Sequence, residues 1–281
     1  MVSKVLSIVI VSYNSLESLI PCIDSILQNP PKCTYEIITS DNNSNDGTLE
    51  VLQKNYGNKV ILLENNENLG FGKANNKAFL ISNGEIIAFL NSDTVVFENS
   101  LDKLVSFLME NNEIGAVGPK IINSDGSFQP QCKRGRVTLM SIWGYLLKLY
   151  KIFPKIRKFG EYLLTYKSED EVSDVASVSG ACLLVRRDVF EKARMFDERY
   201  FLHFEDLDLC YTIRNLGYRI VYYPYSKVMH IKGQSSSRKT KYYFLDSFEK
   251  FYLKYLIKSY PLFVSWIVLL AVRIYKKAIR L

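Results

Sequence analysis

"VLSIVIVS", residues 5–12, is a nearly unbroken run of aliphatic and β-branched residues. A strand with one wet face would alternate, whereas continuous apolar character marks a strand buried on both faces, as in a parallel sheet. Asn14 follows as a helix N-cap with Glu17 three residues on. Leu16, Leu19, Ile20, Ile23, Ile26 and Leu27 then return at helical spacing until Pro30 and Pro31 end the pattern. This unit of strand, turn and helix repeats. YEIITS (35–40) leads through DNNSNDG to a helix from Thr48, and KVILLE (59–64) leads through a loop to a helix from about Gly72. EIIAFL (85–90) leads through NSDT to a helix over 98–111. The alternation predicts an open α/β sheet that binds ligands at the carboxyl ends of its strands.

A polar cluster follows each of those ends: Ser12-Tyr13-Asn14, then Asp41, then NNENLGFGKANN (65–76), then Asn91-Ser92-Asp93. Any one of them is an ordinary solvated turn, but four on one sheet edge indicate a crevice. GFGKAN (70–75) is not a dinucleotide fingerprint, because it does not follow the first strand and Asn75 stands where a third small residue belongs. The chain has neither a phosphate-loop motif nor a G-x-S-x-G elbow, and with the failed fingerprint this argues against NAD and P-loop chemistry. From about 112 to 174 the pattern is less regular, and then VSDVASVSGACLLVRRDVF (172–190) gives a small-residue strand where Gly180 and Ala181 allow close approach.

Composition bounds the rest. The 281 residues, 48% apolar and 23% charged, describe a globular chain of one large or two closely joined domains. Five scattered cysteines with no C-x-x-C pair argue against a disulfide framework or a zinc site and fit a reducing cytosol, and the first apolar run is read as a strand, not a signal peptide. The net charge of +7 is uneven, with eight Lys or Arg and no acid between Cys132 and Gly160. Basic residues mixed with aliphatics and aromatics in MSIWGYLLKLYKIFPKIRKF (140–159) favour an anionic membrane surface over nucleic acid. PLFVSWIVLLAV (261–272) falls short of the ~20 residues a spanning helix needs and is expected to lie in the headgroup region.

YFLHFEDLDLCYTIRNLGYRI (200–220) sets three carboxylates, Glu205, Asp206 and Asp208, within four positions of an otherwise apolar run. A helix from Glu205, with Leu209, Ile213 and Leu216 on one face, Arg214 in its last turn and Gly217 as C-cap, puts the acids on its first turn. A helix start tolerates anions, so the trio reads either as simple capping or as a site whose charges need a cation or a chemical task.

In order and near-spacing, SIVIVSYN, DNNSNDGT, NLGFGKANN, LNSDT, SGACLLVRRDVF, the acidic segment from Met195 and HIKGQSS resemble the inverting GT-A fold glycosyltransferases of family 2. The chain is most similar to the rhamnosyltransferase-type members that assemble bacterial cell-surface polysaccharides, over about residues 4–236. The resemblance implies an α/β fold, a GT-A mixed sheet flanked by helices, with amphipathic membrane-associated helices at the C-terminus. Residues 1–120 would form the nucleotide-sugar half, 121–236 the acceptor and catalytic half, and 237–281 the basic, aromatic helices.

It also implies site residues. Val11 and Tyr13 would contact the nucleotide base, Asp41 would accept from its ring N–H, and Lys73 and Ser92 would lie at the nucleotide. The family's D-x-D motif stands here as Asn91-Ser92-Asp93, so only the last acid remains. Asp93 would hold Mn2+ or Mg2+ with His230. Asp206 would act as general base on the acceptor hydroxyl, Glu205 would orient that hydroxyl, Asp208 would support the helix, and His203 would be structural or face the acceptor. The donor would be a nucleotide-diphosphate sugar, first of all dTDP-rhamnose, and the acceptor a polyprenyl-diphosphate-linked glycan at the cytoplasmic face of the membrane. The alternatives are a UDP-hexose or UDP-N-acetylhexosamine transferase of the same fold, or a non-catalytic membrane-associated scaffold.

Overall fold

The computed structural model describes residues 5–231 and 238–280. Of HIKGQSS, therefore, only His230 and Ile231 lie inside the described residues. The first half alternates as its sequence demands: β1 (Leu6–Ser12), α1 (Leu16–Gln28), β2 (Tyr35–Asp41), α2 (Thr48–Tyr56), β3 (Ile61–Glu64), α3 (Phe71–Ile81) and β4 (Ile86–Asn91). A two-residue turn leads to β5 (Thr94–Val96), and α4 (Ser100–Glu110) and β6 (Ile114–Ile122) follow. The irregular middle carries β7 (Lys133–Arg134), α5 (Leu139–Leu146), α6 (Leu149–Ile152), α7 (Arg157–Gly160), β8 (Ser173–Asp174) and β9 (Ser177–Val178). The second half continues with β10 (Cys182–Arg186), α8 (Arg187–Lys192), α9 (Glu205–Asn215) and β11 (Arg219–His230), and ends in α10 (Arg238–Phe251) and α11 (Leu262–Arg280).

Nine strands form the main sheet in the order β3-β2-β1-β4-β10-β6-β11-β5, with β8 paired to β11. The four early strands are parallel, β10 runs antiparallel between β4 and β6, and β5 runs antiparallel to β11. β1 shows why its sequence is continuous: Leu6, Ile8 and Ile10 enter a core with α1 and α4, and Val9 points into a second core with α3, α8 and α9. At about 1.5–3 kcal/mol for each large aliphatic side chain withdrawn from water, the two faces drive assembly of the sheet. A third core, rich in aromatics, joins α9 to α10 and α11 through Phe204, Leu207, Phe248, Phe251, Leu269 and Val272.

Three expectations need correction. Asn14 does not cap α1: it has φ 48 and its Oδ1 accepts from the Asn45 N–H, while Asp46 accepts from the Leu16 N–H and so caps the helix from another loop. The region after 112 contains a fully formed central strand, β6, whose glycines and proline hid its β character. Leu216 is exposed beyond the end of α9, so that helix buries Leu209 and Ile213 without it. Among the described residues no helix is long and apolar enough to cross a membrane.

Candidate active site

The carboxyl ends of β1, β2 and β4 share one edge, because β1 pairs in parallel with both neighbours and aligns Val11 with Ser40 and Asn91. Val11 is half-buried there and Tyr13 is exposed beside it. Asp41 is 0% exposed, and its carboxylate accepts from the hydroxyls of Ser12 (2.7 Å) and Ser44 (2.6 Å) and from the Ser44 N–H (2.8 Å). It therefore holds the turn after β2, leaving little lone-pair capacity for another donor. Lys73 is half-buried in the first turn of α3 and has no side-chain partner among the described residues, unlike Lys77, which donates to Asn65 Oδ1.

Much of the NNENLGFGKANN loop is scaffold. Asn42 bridges Asn68, Gly70 and Asn65, while Asn76 binds both the backbone of Phe196 and the carboxylate of Glu198. Gly70, at φ 78, lets the loop lie against the segment before α9, and the Phe71 N–H donates to the Phe201 carbonyl.

Strand register brings the next pair together. β5 and β11 align Thr94 with His230, and the Ile231 N–H donates to the Asp93 carbonyl. As a result Asp93 Oδ1 lies 3.0 Å from His230 Nε2, although they are 137 positions apart in the chain. Asn91 Nδ2 is 3.2 Å from the same nitrogen, and His230 Nδ1 is 3.2 Å from Gln129 Oε1. With Nδ1–H donated to Gln129, Nε2 turns its lone pair towards the Asn91 amide and the Asp93 oxygen, an arrangement that a bound cation could bridge. One carboxylate and one imidazole suit Mn2+ or Mg2+, whose remaining positions phosphate oxygens and water can fill. No cluster of three or more metal-binding side chains exists among the described residues.

The acids of α9 behave individually. Asp206 Oδ2 accepts from Arg134 Nη2 (2.6 Å) and from the Gly180 N–H (2.8 Å), and its Oδ1 accepts from the Leu207 N–H (2.7 Å). The side chain that approaches Gly180 is thus Asp206 itself, and a Cβ at Gly180 would lie 3.3 Å from the Asp206 Cβ. Arg134 also donates to the Val178 carbonyl. Burial works against the Arg134 charge, but the Asp206 carboxylate more than offsets it, and the guanidinium is held above its ordinary range. Glu205 is buried with Oε2 unpartnered, and burial first, then the Asp206 charge, push its carboxyl up to about 8. Asp208 points the other way, to Lys254 (2.8 Å) and the Tyr200 hydroxyl (3.1 Å), and so fastens α9 to the C-terminal helices. His203 packs edge-on against Phe244, and burial lowers its basicity.

The two groups of residues meet at Gly180 and Ala181. The Ala181 carbonyl accepts from the Asn91 N–H (3.1 Å) and the Thr94 hydroxyl (3.0 Å), one residue from the N–H that binds Asp206. Ser92, half-buried in the turn between β4 and β5, lies on the same edge. Two contributors were not legible in the sequence. Arg134 was hidden in a basic run that reads as surface charge, yet Lys133 and Arg134 are buried, 1% and 8% exposed. Gln129 stands among turn residues, with no signal to mark it.

Comparison with known proteins places the chain in a family. The model of the family described as "Glycosyl transferase family 2" matches residues 7–194, more than half of the sequence and ending before α9. An N-acetylglucosaminyl-diphospho-decaprenol L-rhamnosyltransferase of Mycobacterium tuberculosis is 30% identical over 253 residues, covering 84% of this chain and 79% of that protein. Among solved structures, GalNAc-T7 with UDP, GalNAc and Mn2+ superposes with a TM-score of 0.63 at 21% identity, over 83% of this chain and 44% of that one. A mannosyltransferase from Pyrobaculum calidifontis, in complex with GDP-Man and Mn2+, also gives 0.63, at 16% identity over 89% and 64% of the two chains. These two likenesses speak for the fold. The sequence matches go further, and they place the chain in glycosyl transferase family 2 as a rhamnosyltransferase-like glycosyltransferase.

Proposed function

We propose that the protein is a metal-dependent, inverting transferase that moves L-rhamnose from dTDP-rhamnose to a hydroxyl of a polyprenyl-diphosphate-linked sugar, working as a peripheral protein at the inner face of the cell membrane. The sugar and acceptor rest on the likeness to the mycobacterial rhamnosyltransferase. The observation that carries the chemistry is the Gly180–Ala181 link, which sets Asp206 and the Asp93–His230 pair on either side of one strand end.

In this reading residues 1–120 hold the donor and 121–236 the acceptor. Val11 and Tyr13 flank the base, and Asp41 Oδ2 accepts one further bond from it. Lys73 and Ser92 lie along the diphosphate. Asp93 and His230 would hold the divalent ion, which supplies charge stabilisation to the departing diphosphate when bound. Asp206 takes the acceptor's proton on Oδ1, since Arg134 and Gly180 engage Oδ2. A carboxylate is too weak a base to deprotonate a sugar alcohol in advance, so proton transfer accompanies attack on the anomeric carbon. Glu205, neutral below about 8, can offer the acceptor a hydrogen bond without adding a second negative charge. Attack from the face opposite the nucleotide inverts the anomeric centre.

A panel of donors tests this directly. Purified protein with a lipid-diphosphate-linked N-acetylglucosamine analogue should consume dTDP-rhamnose in the presence of Mn2+ or Mg2+ and leave UDP-glucose, UDP-galactose and UDP-N-acetylglucosamine intact. Turnover of a UDP-sugar alone would replace the donor, and turnover of none would favour a non-catalytic scaffold.

A further inference from the structure

α11 has two unlike faces. Ser265, Leu269 and Val272 are buried, Ser265 against Tyr252 just past α10, while Leu262, Phe263, Trp266, Ile267, Leu270 and Ile274 form an exposed stripe along the opposite side. The stripe spans three helical turns, and α11 has no acidic residue. Two of its cations are already neutralised, because Arg273 pairs with Glu249 and Lys276 with Asp246 and Glu249 of α10.

A second apolar surface adjoins it. α5 presents Met140, Trp143, Leu146 and Leu147 to solvent while its Leu139 and Ile142 enter the same core as α11. The Leu139 N–H donates to the hydroxyl of Tyr260, the residue from which the chain enters α11. The chain has two tryptophans, and both lie here, Trp143 55% and Trp266 71% exposed. Lys148, Lys151, Lys155, Lys158, Lys258 and Lys277 are exposed around these helices, with no acidic partner among the described residues. Indole rings suit the boundary between water and lipid, and unpaired lysines beside an apolar stripe complement anionic headgroups.

We infer that α5 and α11 together form a monotopic docking face for an anionic bilayer, entering to headgroup depth with Trp143 and Trp266 as anchors. The face shares its aromatic core with Phe204 and Leu207 of the α9 region, so docking holds the base helix at a fixed height above the lipid. A lipid-diphosphate-linked sugar would meet Asp206 without leaving the membrane. This inference relies on the proposed function for the acceptor, but docking itself is measured without catalysis.

Because both tryptophans sit on the proposed face, the full-length protein reports its own docking. Vesicles of phosphatidylglycerol and phosphatidylcholine should shift its fluorescence to the blue and carry it down in sedimentation. Pure phosphatidylcholine vesicles, or high salt, should do so far less. Trp266→Glu should weaken vesicle partitioning about tenfold or more, with an unchanged circular dichroism spectrum and unchanged nucleotide release from the donor in vesicle-free buffer. An unshifted spectrum with anionic vesicles, in a preparation that still turns over donor, would overturn the inference. So would a blue-shifted spectrum and dimeric mass without vesicles, which would assign the face to a second copy of the chain. Vesicle binding by a preparation inactive on every donor would support docking and count against the catalytic reading alone.

Discussion

Asp206 and Arg134 form a buried pair, each side chain 10% exposed, and the carboxylate accepts three hydrogen bonds. Asp206→Asn keeps the shape but cannot take a proton. Transfer should fall by about 10²–10⁴-fold, the usual weight of a general base, with donor affinity preserved. Arg134→Gln strands the carboxylate and should cost about 3–5 kcal/mol, read from the urea midpoint, with Asp206→Asn on that background recovering part of the loss. Glu205 gives a pH signature. Its folded-state value, raised from an ordinary 4.5 to about 8, means that the native protein binds the proton more tightly than the unfolded chain does. The stability from this group is full below about 4.5 and is lost as pH rises towards 8. Glu205→Gln should therefore melt at a higher temperature than wild type at pH 8, with the gap closing towards pH 5.

α9 is set by its approach and by the strands beneath it. His203 and Phe204 both adopt left-handed backbone conformations, φ 69 and 68, at a cost of roughly 1–2 kcal/mol each for residues with a side chain. Phe204 is held there by Phe244, Phe248 and Phe251 of α10. The β6 strand passes so close to β9 that a Cβ at Gly118 would lie 2.6 Å from the Val178 Cβ. Gly118→Ala should destabilise the protein by about 1–3 kcal/mol in urea unfolding and displace Val178, whose carbonyl receives Arg134. At the other edge, the β5–β11 pairing leaves the His230 ring to Gln129 for its orientation. On the metal role proposed for His230, Gln129→Leu removes that acceptor and should raise the Mn2+ concentration needed for half-maximal activity by roughly 10–100-fold.

The molecule joins the nine-stranded sheet to a helical hairpin through one aromatic core, so the C-terminal helices buttress α9 from behind. Ser247 donates to the Leu202 carbonyl, Lys250 to the Arg199 carbonyl and Lys254 to Asp208, all in or just before α9. Phe251 is 0% exposed at the centre of this junction. Phe251→Ala should cost about 3–5 kcal/mol and, by loosening the core behind α9, lower transfer. Hydrogen exchange should locate the loosening at residues 200–212 while β1 and β4 stay protected.

The repeating strand-helix units were legible because local periodicity and β-branching carry them: β1, α2 and α4 lie where hydrophobic spacing put them. The strand-end clusters were legible as well, since a parallel sheet sends all such ends to one edge. β6 was not, because its backbone needs glycine for close packing and so lacks a strand's usual composition. Nor could spacing show that Lys133 and Arg134 turn inward while Lys148 and Lys151 stay outside, for charge looks alike in sequence whether or not a carboxylate awaits it. Local chemistry therefore set the elements and the kinds of residue at the site. Which acid meets Arg134, which faces Lys254 and which keeps one oxygen buried without a partner depends on contacts spanning tens of residues, and those exist only once the sheet has closed.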